Sequence, residues 1–417
     1  MSGIRVNEWL HNSGTGGIWQ SSAGNVGIAS SVPTAKLVVT GDANISGITT
    51  AETFVPTVGQ LSHRNLMING AMQVAQRGTS DTSDTQGYTT VDRWTVVWAG
   101  LEEELSRYQE SLSSSDTGPW AKGFRKAWKI QNGNQTGGAD ASGYINPQYT
   151  VEAQDLASSG WNPADPTSKL TLSFWVKSSV AQTFYSYLYV NDGGGDSYSF
   201  SYALSANTWT KVTKIIPGHA DLAVNSDNGA GMTIYLPLFL GTDRTTSGHT
   251  LNQWQSWSSS NRTPDQTTTW YTTNDATWHM TGIQLEVGSV PTPFEHRSYA
   301  EDHLRCARYY QEQQGGSDVF MYAAKAQGTT SADLGVALVV PLRASPTVVC
   351  SAHRLFHSDG VGYSNSTTAP TVVQWDANHS IHSATIALNA GGHSSVANNE
   401  CCTWSPSSAA LTFDSEL

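Results

Sequence analysis

The sequence predicts an all-β protein dominated by an antiparallel two-sheet sandwich of jelly-roll type. Three observations carry that prediction. Short runs alternate apolar and polar side chains with a period of two, as in KLTLSFWVKS at 169–178, where Leu170, Leu172, Phe174 and Val176 share one face. These runs recur at short intervals between loops rich in Gly, Ser, Asn and Asp, with no long helical pattern among them. The 15 Trp, 16 Tyr and 38 Gly in 417 residues suit aromatic strands joined by tight turns.

Charged residues make up 13% of the chain, about half the usual share of roughly 25%. Ser, Thr, Asn and Gln supply the polarity instead. The net charge of −12 argues against nucleic acid or an anionic membrane as partner, and no basic run tracks phosphate. No apolar stretch reaches the ~18 residues of a membrane-spanning helix. The opening MSGIRVNEWLHNS lacks an apolar signal core, so export by a cleaved signal is not expected. Cys306, Cys350, Cys401 and Cys402 form no CxxC pair. They read as small buried thiols, with a disulfide between Cys350 and one of the adjacent pair as the minor alternative. Cys401 and Cys402 belong on opposite faces of a strand.

Three regions follow from the punctuation. Residues 1–60 hold very short β units between glycines: Gly27–Ala29, Lys36–Thr40 and Asn44–Ile48. Such units close no core alone and need to stack, most simply on the same segment of another chain. Residues 61–296 read as the central sandwich. HRNLMINGAM at 63–72 is expected as a strand with a glycine break, and VDRWTVVWAG at 91–100 places Trp94, Val96 and Trp98 on one face. LEEELSRYQE at 101–110 is a short helix or an edge strand. KAWKIQN, KLTLSFWVKS, TFYSYLYV, SYSFSYALS and TWTKVTKIIPG follow as strands. GMTIYLPLFL at 231–240 is a strongly apolar strand whose Pro237 implies an edge or a bulge. Ile283–Val287 closes the sandwich, Pro291–Pro293 breaks it, and Phe294 packs back as a plug. Residues 297–417 form a small C-terminal β-sandwich, opened by a turn or two of helix at His303–Tyr310.

Two stretches resemble known proteins. NVGIASSVPTAKLVVTGDANISGITTAETF resembles a repeat of phage tail fibres and trimeric adhesins, matching at Val26, Gly27, Ile28, Pro33, Lys36, Leu37, Val39, Gly41 and Gly47. That resemblance implies a short intertwined three-chain N-terminal shaft. NLMINGAMQVAQRGTS with YTTVDRWTV, then MTGIQLEVGSVPTPFEHRSYAEDHLRCARYY, resembles the opening and closing motifs of a domain common in phage tail proteins. Together the likeness spans most of residues 20–310 and implies a carbohydrate-binding-module-like jelly roll with a distal tip beyond it. Ala71, Met72 and Val74 depart from the pattern, which often has acidic and aromatic residues there. Similar jelly rolls hold a structural Ca²⁺ near the first and last strands. Glu286 is the available carboxylate, but Ala71 offers no ligand, so no metal is expected.

Exposed aromatic rings among amides stack on sugar rings while the amides take hydroxyls. LNQWQSWSSSNRTPDQTTTWYTTNDATW at 251–278 has that composition. The candidate carbohydrate-binding residues are Trp254, Trp257, Trp270, Tyr271, Asn252 and Gln255, with Gln253, Asn261, Arg262 and Asp265 nearby. The competing account is that these rings cover the sandwich ends or a subunit interface. His353, His357, His379, His382 and His393 cluster in sequence, but His379 and His382 on a strand point to opposite faces, poor geometry for one metal. No nucleophile elbow, HExxH, Walker or Rossmann pattern occurs. Asp92, Glu102, Glu103 and Glu104 are glycosidase-type carboxylates by type only. No catalytic residue and no cofactor is assigned.

The reading expected from the sequence is a homotrimeric phage tail fibre that recognises a host. Its N-terminus attaches to a virion tail or baseplate protein, and its sandwich meets a bacterial cell-surface glycan. It is made in the host cytoplasm and resides in the virion, with no nucleic acid partner and no membrane insertion. The alternatives are a capsid-decorating fibre or baseplate component without receptor binding, or a polysaccharide depolymerase.

Overall fold

A computed structural model describes residues 8–9, 17–39, 62–135, 137–313, 322–350, 352–356, 363–374, 385–393, 401–406 and 410–417. The chain divides into two units, Met1–Pro56 and Thr57–Leu417.

The first unit holds β1 (Glu8–Trp9), β2 (Ile18–Gln20), β3 (Val26–Ile28) and β4 (Leu37–Val39) in one small sheet. β1, β2 and β3 pair antiparallel, and β3 pairs with β4 in parallel. Strands this short bury little. Ile18, Ile28, Val32 and Leu37 are exposed. The strand expected at Asn44–Ile48 lies outside the described residues.

The second unit opens with the central sandwich. Its elements are β5 (Ser80–Asp81), β6 (Thr95–Ala99), β7 (Ser106–Ser111), β8 (Lys126–Gln131), β9 (Tyr144–Glu152), α1 (Ala153–Ala157), β10 (Lys169–Ser178) and β11 (Gln182–Val190). β12 (Asp196–Leu204), β13 (Thr210–Pro217), β14 (Ala230–Tyr235), β15 (Phe239–Leu240), β16 (Trp254–Ser256), α2 (Thr269–Thr272) and β17 (Thr277–Val287) complete it. One sheet has the order β13-β10-β17-β8-β7-β5. The other runs β15-β9-β14-β11-β12-β16, with β6 on the second edge of β9. All pairs between these strands are antiparallel, and the chain passes back and forth between the sheets, the jelly-roll pattern.

The alternating residues meet as their period demands. Trp94, Val96, Trp98, Leu170, Leu172, Phe174 and Val176 all enter one core with Phe184, Phe200 and Ile234. Trp94, Trp128 and Trp278 run through that core, with ring centroids 5.7 and 6.5 Å apart. Pro237 splits the expected single strand into β14 and β15. Both pair with β9, and the register slips by one residue across the break. β17 is not a closing edge. It lies in the middle of its sheet, between β10 and β8.

Two expectations differ from the structure. HRNLMINGAM is not a strand but a buried series of turns. Side-chain amides replace the ladder there. Asn65 Nδ2 donates to the Ile283 carbonyl while its Oδ1 accepts from Met67 N and Leu285 N. Asn69 Nδ2 donates to the Val74 and Asp92 carbonyls, and its Oδ1 accepts from Val74 N. Of the segment 101–110, LEEEL is neither helix nor strand, while Ser106–Glu110 is strand, in β7. Glu102 and Glu103 accept from Gly137 N and Asn134 N, and so tie two loops together.

α3 (Tyr299–Ala307) begins before the expected helix because Ser298 caps it, accepting from Glu301 N in an S-x-x-E sequence. Ten strands follow: β18 (Tyr310–Gln313), β19 (Tyr322–Gln327), β20 (Ser331–Ala337), β21 (Thr347–Val349), β22 (His353–Phe356), β23 (Tyr363–Ser366), β24 (Thr371–Gln374), β25 (Thr385–Ala390), β26 (Cys401–Pro406) and β27 (Leu411–Asp414). They form the sheets β18-β27-β21 and β23-β22-β26-β19-β20-β25-β24 around a separate small core that includes Leu334, Ile386, Trp404 and Phe413. Cys402 is buried and Cys401 exposed, on opposite faces as expected. Cys350 is a free buried thiol, so the disulfide alternative fails.

The chain end ties the second unit together. Arg93, fully buried, donates through Nη1 to Glu416 and through Nη2 to the Thr150 carbonyl at 2.8 Å. Arg77 pairs with Asp414 at 2.8 Å and Glu416 at 3.3 Å. Tyr88 donates to the Leu417 carbonyl, and Arg343 to those of Ser415 and Glu416. Phe294 packs edge-on against Phe124, the plug the sequence implied.

Candidate functional site

The structure separates the expected aromatic candidates. Trp270 and Tyr271 sit in α2, and their rings are in the core at 0% and 1% exposure. Trp270 Nε1 donates to the Thr277 carbonyl. The Tyr271 hydroxyl donates to the Gly100 carbonyl, and its ring stacks on Phe239 at 4.1 Å. Trp254 occupies an inward position on β16, and its Nε1 donates to the Pro217 carbonyl at 2.6 Å. These three rings therefore present no open face, and their assignment as sugar platforms is corrected. Gln255 is half-buried, its amide engaged by His249 Nε2 and the Thr250 carbonyl. Asn252 is exposed at a left-handed turn, φ 61°. Trp257 is 37% exposed and is the one expected ring that reaches the surface.

Trp257 belongs to a different constellation. Its ring lies 5.5 Å from Tyr189, and the Arg262 guanidinium lies 5.4 Å from its centroid. Tyr189 is one of three tyrosines, with Tyr185 and Tyr187, at alternate positions of β11. Phe184, Leu188 and Val190 fill the core from the same strand, so the tyrosines face the other way. Strand register extends that face sideways. One row reads Thr95, Gln148, Tyr235, Tyr187, Ser199 across five strands. The next reads Thr150, Thr233, Tyr189, Ser197, Gln255. Tyr185 pairs with Ser201 in a third. The outer face of the seven-stranded sheet is thus tyrosine, hydroxyl and amide, without a charged side chain in these rows, but much of it is covered: Thr95, Thr150, Tyr187, Ser197, Ser199 and Thr233 are buried, and Tyr185, Tyr189, Tyr235, Gln148 and Ser201 are half-buried.

Its centre is tightly built. Tyr187 and Tyr235 stack at 4.6 Å with planes 19° apart. Burial pushes the Tyr187 hydroxyl up to about 12, against the pull of the Arg262 charge, and it also raises Tyr235. Both remain neutral hydroxyls at physiological pH. Asn146, 2% exposed, hydrogen-bonds Tyr187, while its Oδ1 is buried without a partner among the described residues. The loop carrying Arg262 is pinned to the face, with Ser199 Oγ donating to the Arg262 carbonyl and Asn252 N to that of Ser199.

The outer face of the six-stranded sheet is built otherwise. One row there reads Lys177, His279, Lys129, Tyr108. Asp116 accepts from Lys177 Nζ at 3.1 Å and Trp209 Nε1 at 3.0 Å, and Glu110 accepts from His279 at 2.7 Å. Cations cover the rings: Arg125 lies 3.7 Å above Trp120, and Lys177 4.9 Å from Trp209. Those indoles are already engaged.

Other sequence candidates resolve into structure. Both Glu286 oxygens are engaged, Oε1 by Thr292 N and Gln284 Nε2 and Oε2 by Thr292 Oγ1, so the carboxylate anchors the Gly/Pro turn. Asp92 is buried and accepts from Gln76 N at 2.8 Å. His353 is buried between Trp404 Nε1 and the Thr368 carbonyl, with His393 4.9 Å away in ring contact. His357, His379 and His382 lie outside the described residues.

The tyrosine face escaped the sequence reading although TFYSYLYV carries it. Alternation alone sets Tyr185, Tyr187 and Tyr189 on one side. Which side packs into the sandwich core depends on the partner sheet, and one strand does not contain that information.

No family model and no curated protein matches the sequence. Three solved structures illustrate the likenesses found. The enzymatically active domain of bacteriophage CBA120 tailspike protein 4 is 11% identical over 54% of this chain and 21% of its own, with a TM-score of 0.29. The xylan-binding domain CBM22-1 from Paenibacillus barcinonensis is 11% identical over 51% of this chain and 94% of its own, TM-score 0.25. The N-terminal cellulose-binding domain of Cellulomonas fimi β-1,4-glucanase C is 12% identical over 52% and 99%, TM-score 0.24. The chain thus spans about a fifth of the tailspike. Likenesses this distant carry no argument about function.

Proposed function

We propose that this chain is a glycan-binding subunit of a phage tail fibre, trimeric through its N-terminal segment, and that a neutral bacterial surface polysaccharide lies along the outer face of the seven-stranded sheet. The part of that face left open, with Tyr185, Tyr189 and Gln148 half-buried and Trp257 and Asn252 exposed, carries the reading. Tyr189 and Trp257 offer ring surface to the apolar side of a sugar, and Gln148, Ser201 and Asn252 exchange hydrogen bonds with its hydroxyls. The rows carry no ion, and the Arg262 guanidinium at the site already lies over the Trp257 ring, which suits a neutral ligand. The exposed Ile18, Ile28 and Leu37 of the first unit, on short strands with the fibre-like repeat, support assembly of like chains.

The test is adsorption to purified host polysaccharide by the Tyr189→Ala/Trp257→Ala variant. At roughly 0.5–1.5 kcal/mol for each ring contact, single-site affinity falls about tenfold. Unchanged adsorption overturns the assignment. No reducing ends are expected from incubation with the polysaccharide, and their release would favour a depolymerase.

A further inference from the structure

A second recessed site lies away from the tyrosine face. A cleft of about 220 Å³ opens between the turns at His63–Ile68, the end of α1 at Asp155–Ser159, and Arg305 of α3, with Val287 in its wall. This is smaller than the roughly 300–1,000 Å³ that holds a drug-sized ligand, and is of monosaccharide scale.

Its lining is sorted by chemistry. Leu66, Ile68 and Val287 form an apolar wall. Arg64 and Arg305 bring two guanidinium groups to a lining with one carboxylate, Asp155, and Arg305 is also paired with Glu301 outside the lining. Arg64 is incompletely used. Its Nη2 makes one long bond to the Pro293 carbonyl at 3.4 Å, and its Nε is buried without a partner among the described residues. Arg305 Nη2 donates to His63 Nδ1 at 2.9 Å and to Glu301 at 3.2 Å. A guanidinium only donates, so His63 Nδ1 is the acceptor in this contact and Nε2 is left to face a ligand as a donor. His63 itself is held at φ 55°, a left-handed backbone that a non-glycine residue adopts at a cost. Ser158 and Asp155 supply exposed hydroxyl and carboxylate oxygens on the opposite side.

The geometry points to a binding site for a monosaccharide-sized sugar acid of the hexuronate type, its carboxylate between Arg64, Arg305 and His63, its hydroxyls on Asp155 and Ser158, and its ring against Leu66 and Val287. A neutral sugar leaves the under-used Arg64 guanidinium without a counter-charge, and a bare inorganic anion leaves the apolar wall and Asp155 unused. The site is independent of the tyrosine rows.

The experiment is calorimetric titration of the full chain with D-glucuronate, D-glucose and inorganic phosphate. Glucuronate is expected to bind, with glucose and phosphate weaker by about tenfold or more, the scale of one charge-assisted hydrogen bond. Arg64→Gln is expected to weaken glucuronate by a similar factor. Ser158→Trp, which fills the cleft from an exposed position, is expected to abolish binding while leaving the unfolding midpoint unchanged. Tyr189→Ala is expected to leave glucuronate binding intact. Equal binding of glucose or phosphate overturns the sugar-acid assignment. Parental affinity in both Arg64→Gln and Ser158→Trp, or loss of binding in Tyr189→Ala, overturns the cleft.

Discussion

Single residues decide whether an aromatic ring is a platform or a keystone. Trp270 and Trp257 sit in equally polar sequence surroundings, yet one ring is wholly buried and the other open. The difference lies in α2, which turns Trp270 inward over the end of the sandwich, and composition does not encode that. The DRW sequence at 92–94 shows the same at a charge. Arg93 has an exposure of 0% and rests 3.4 Å from the Tyr309 ring, with the Glu416 carboxylate as its counter-ion. Removing that partner leaves a buried cation, which costs about 3–5 kcal/mol. Glu416→Ala is therefore expected to lower the urea midpoint strongly. Asp414→Ala, which removes a carboxylate 39% exposed beside Arg77, is expected to cost about 1 kcal/mol or less. Equal losses in the two variants would contradict the clamp. The motif was legible, but its partner more than three hundred positions away was not.

At the scale of elements, period-two alternation was a reliable guide wherever the backbone ladder was regular, and it failed where amide side chains replaced the ladder at Asn65 and Asn69. β17 combines both cases. Its register against β10 slips between Ser173 and Trp175, and Gly282 stands at the slip with φ 62°, the geometry of a glycine bulge. A Cβ there would lie 2.4 Å from Phe124 Cζ. Gly282→Ala combines left-handed strain with overpacking, a loss of roughly 2–4 kcal/mol, readable in the thermal midpoint. The outer face of the same sheet sets a pH response. Burial holds His279 below its usual value. Hydrogen bonding from His279 lowers Glu110, and Asp116, despite opposing burial, is held down to about 2 by bonds from Trp209 and Lys177. For each group the unfolded chain takes up protons first as pH falls, so stability is full at neutrality. It declines below the ordinary histidine range, then further through the carboxylate range toward pH 2. His279→Gln is expected to remove the first decline, measured as urea midpoints from pH 7.5 to 5.5. An unchanged slope would show that another group sets it.

For the whole molecule, the two units pose a question of number. The second unit has its own cores and its own clamp, and is expected to fold as a fragment. The described residues of the first unit expose Ile18, Ile28 and Leu37 on strands of two or three residues, with Val32 between strands, and strands that short bury little of their own. If like chains pack there, three copies of the tyrosine face are tethered. The second and third sites then bind at high effective concentration, and weak single sites yield firm adsorption. Light scattering of the intact chain is accordingly expected to give three times the 44.8 kDa chain mass, and of a fragment beginning at Thr57 the mass of a single fragment. Polysaccharide adsorption should follow the same division. The fragment keeps single-site affinity by calorimetry but loses about a hundredfold or more in surface retention. A monomeric intact chain, or a fragment retained as firmly as the parent, would overturn the N-terminal segment as the source of avidity.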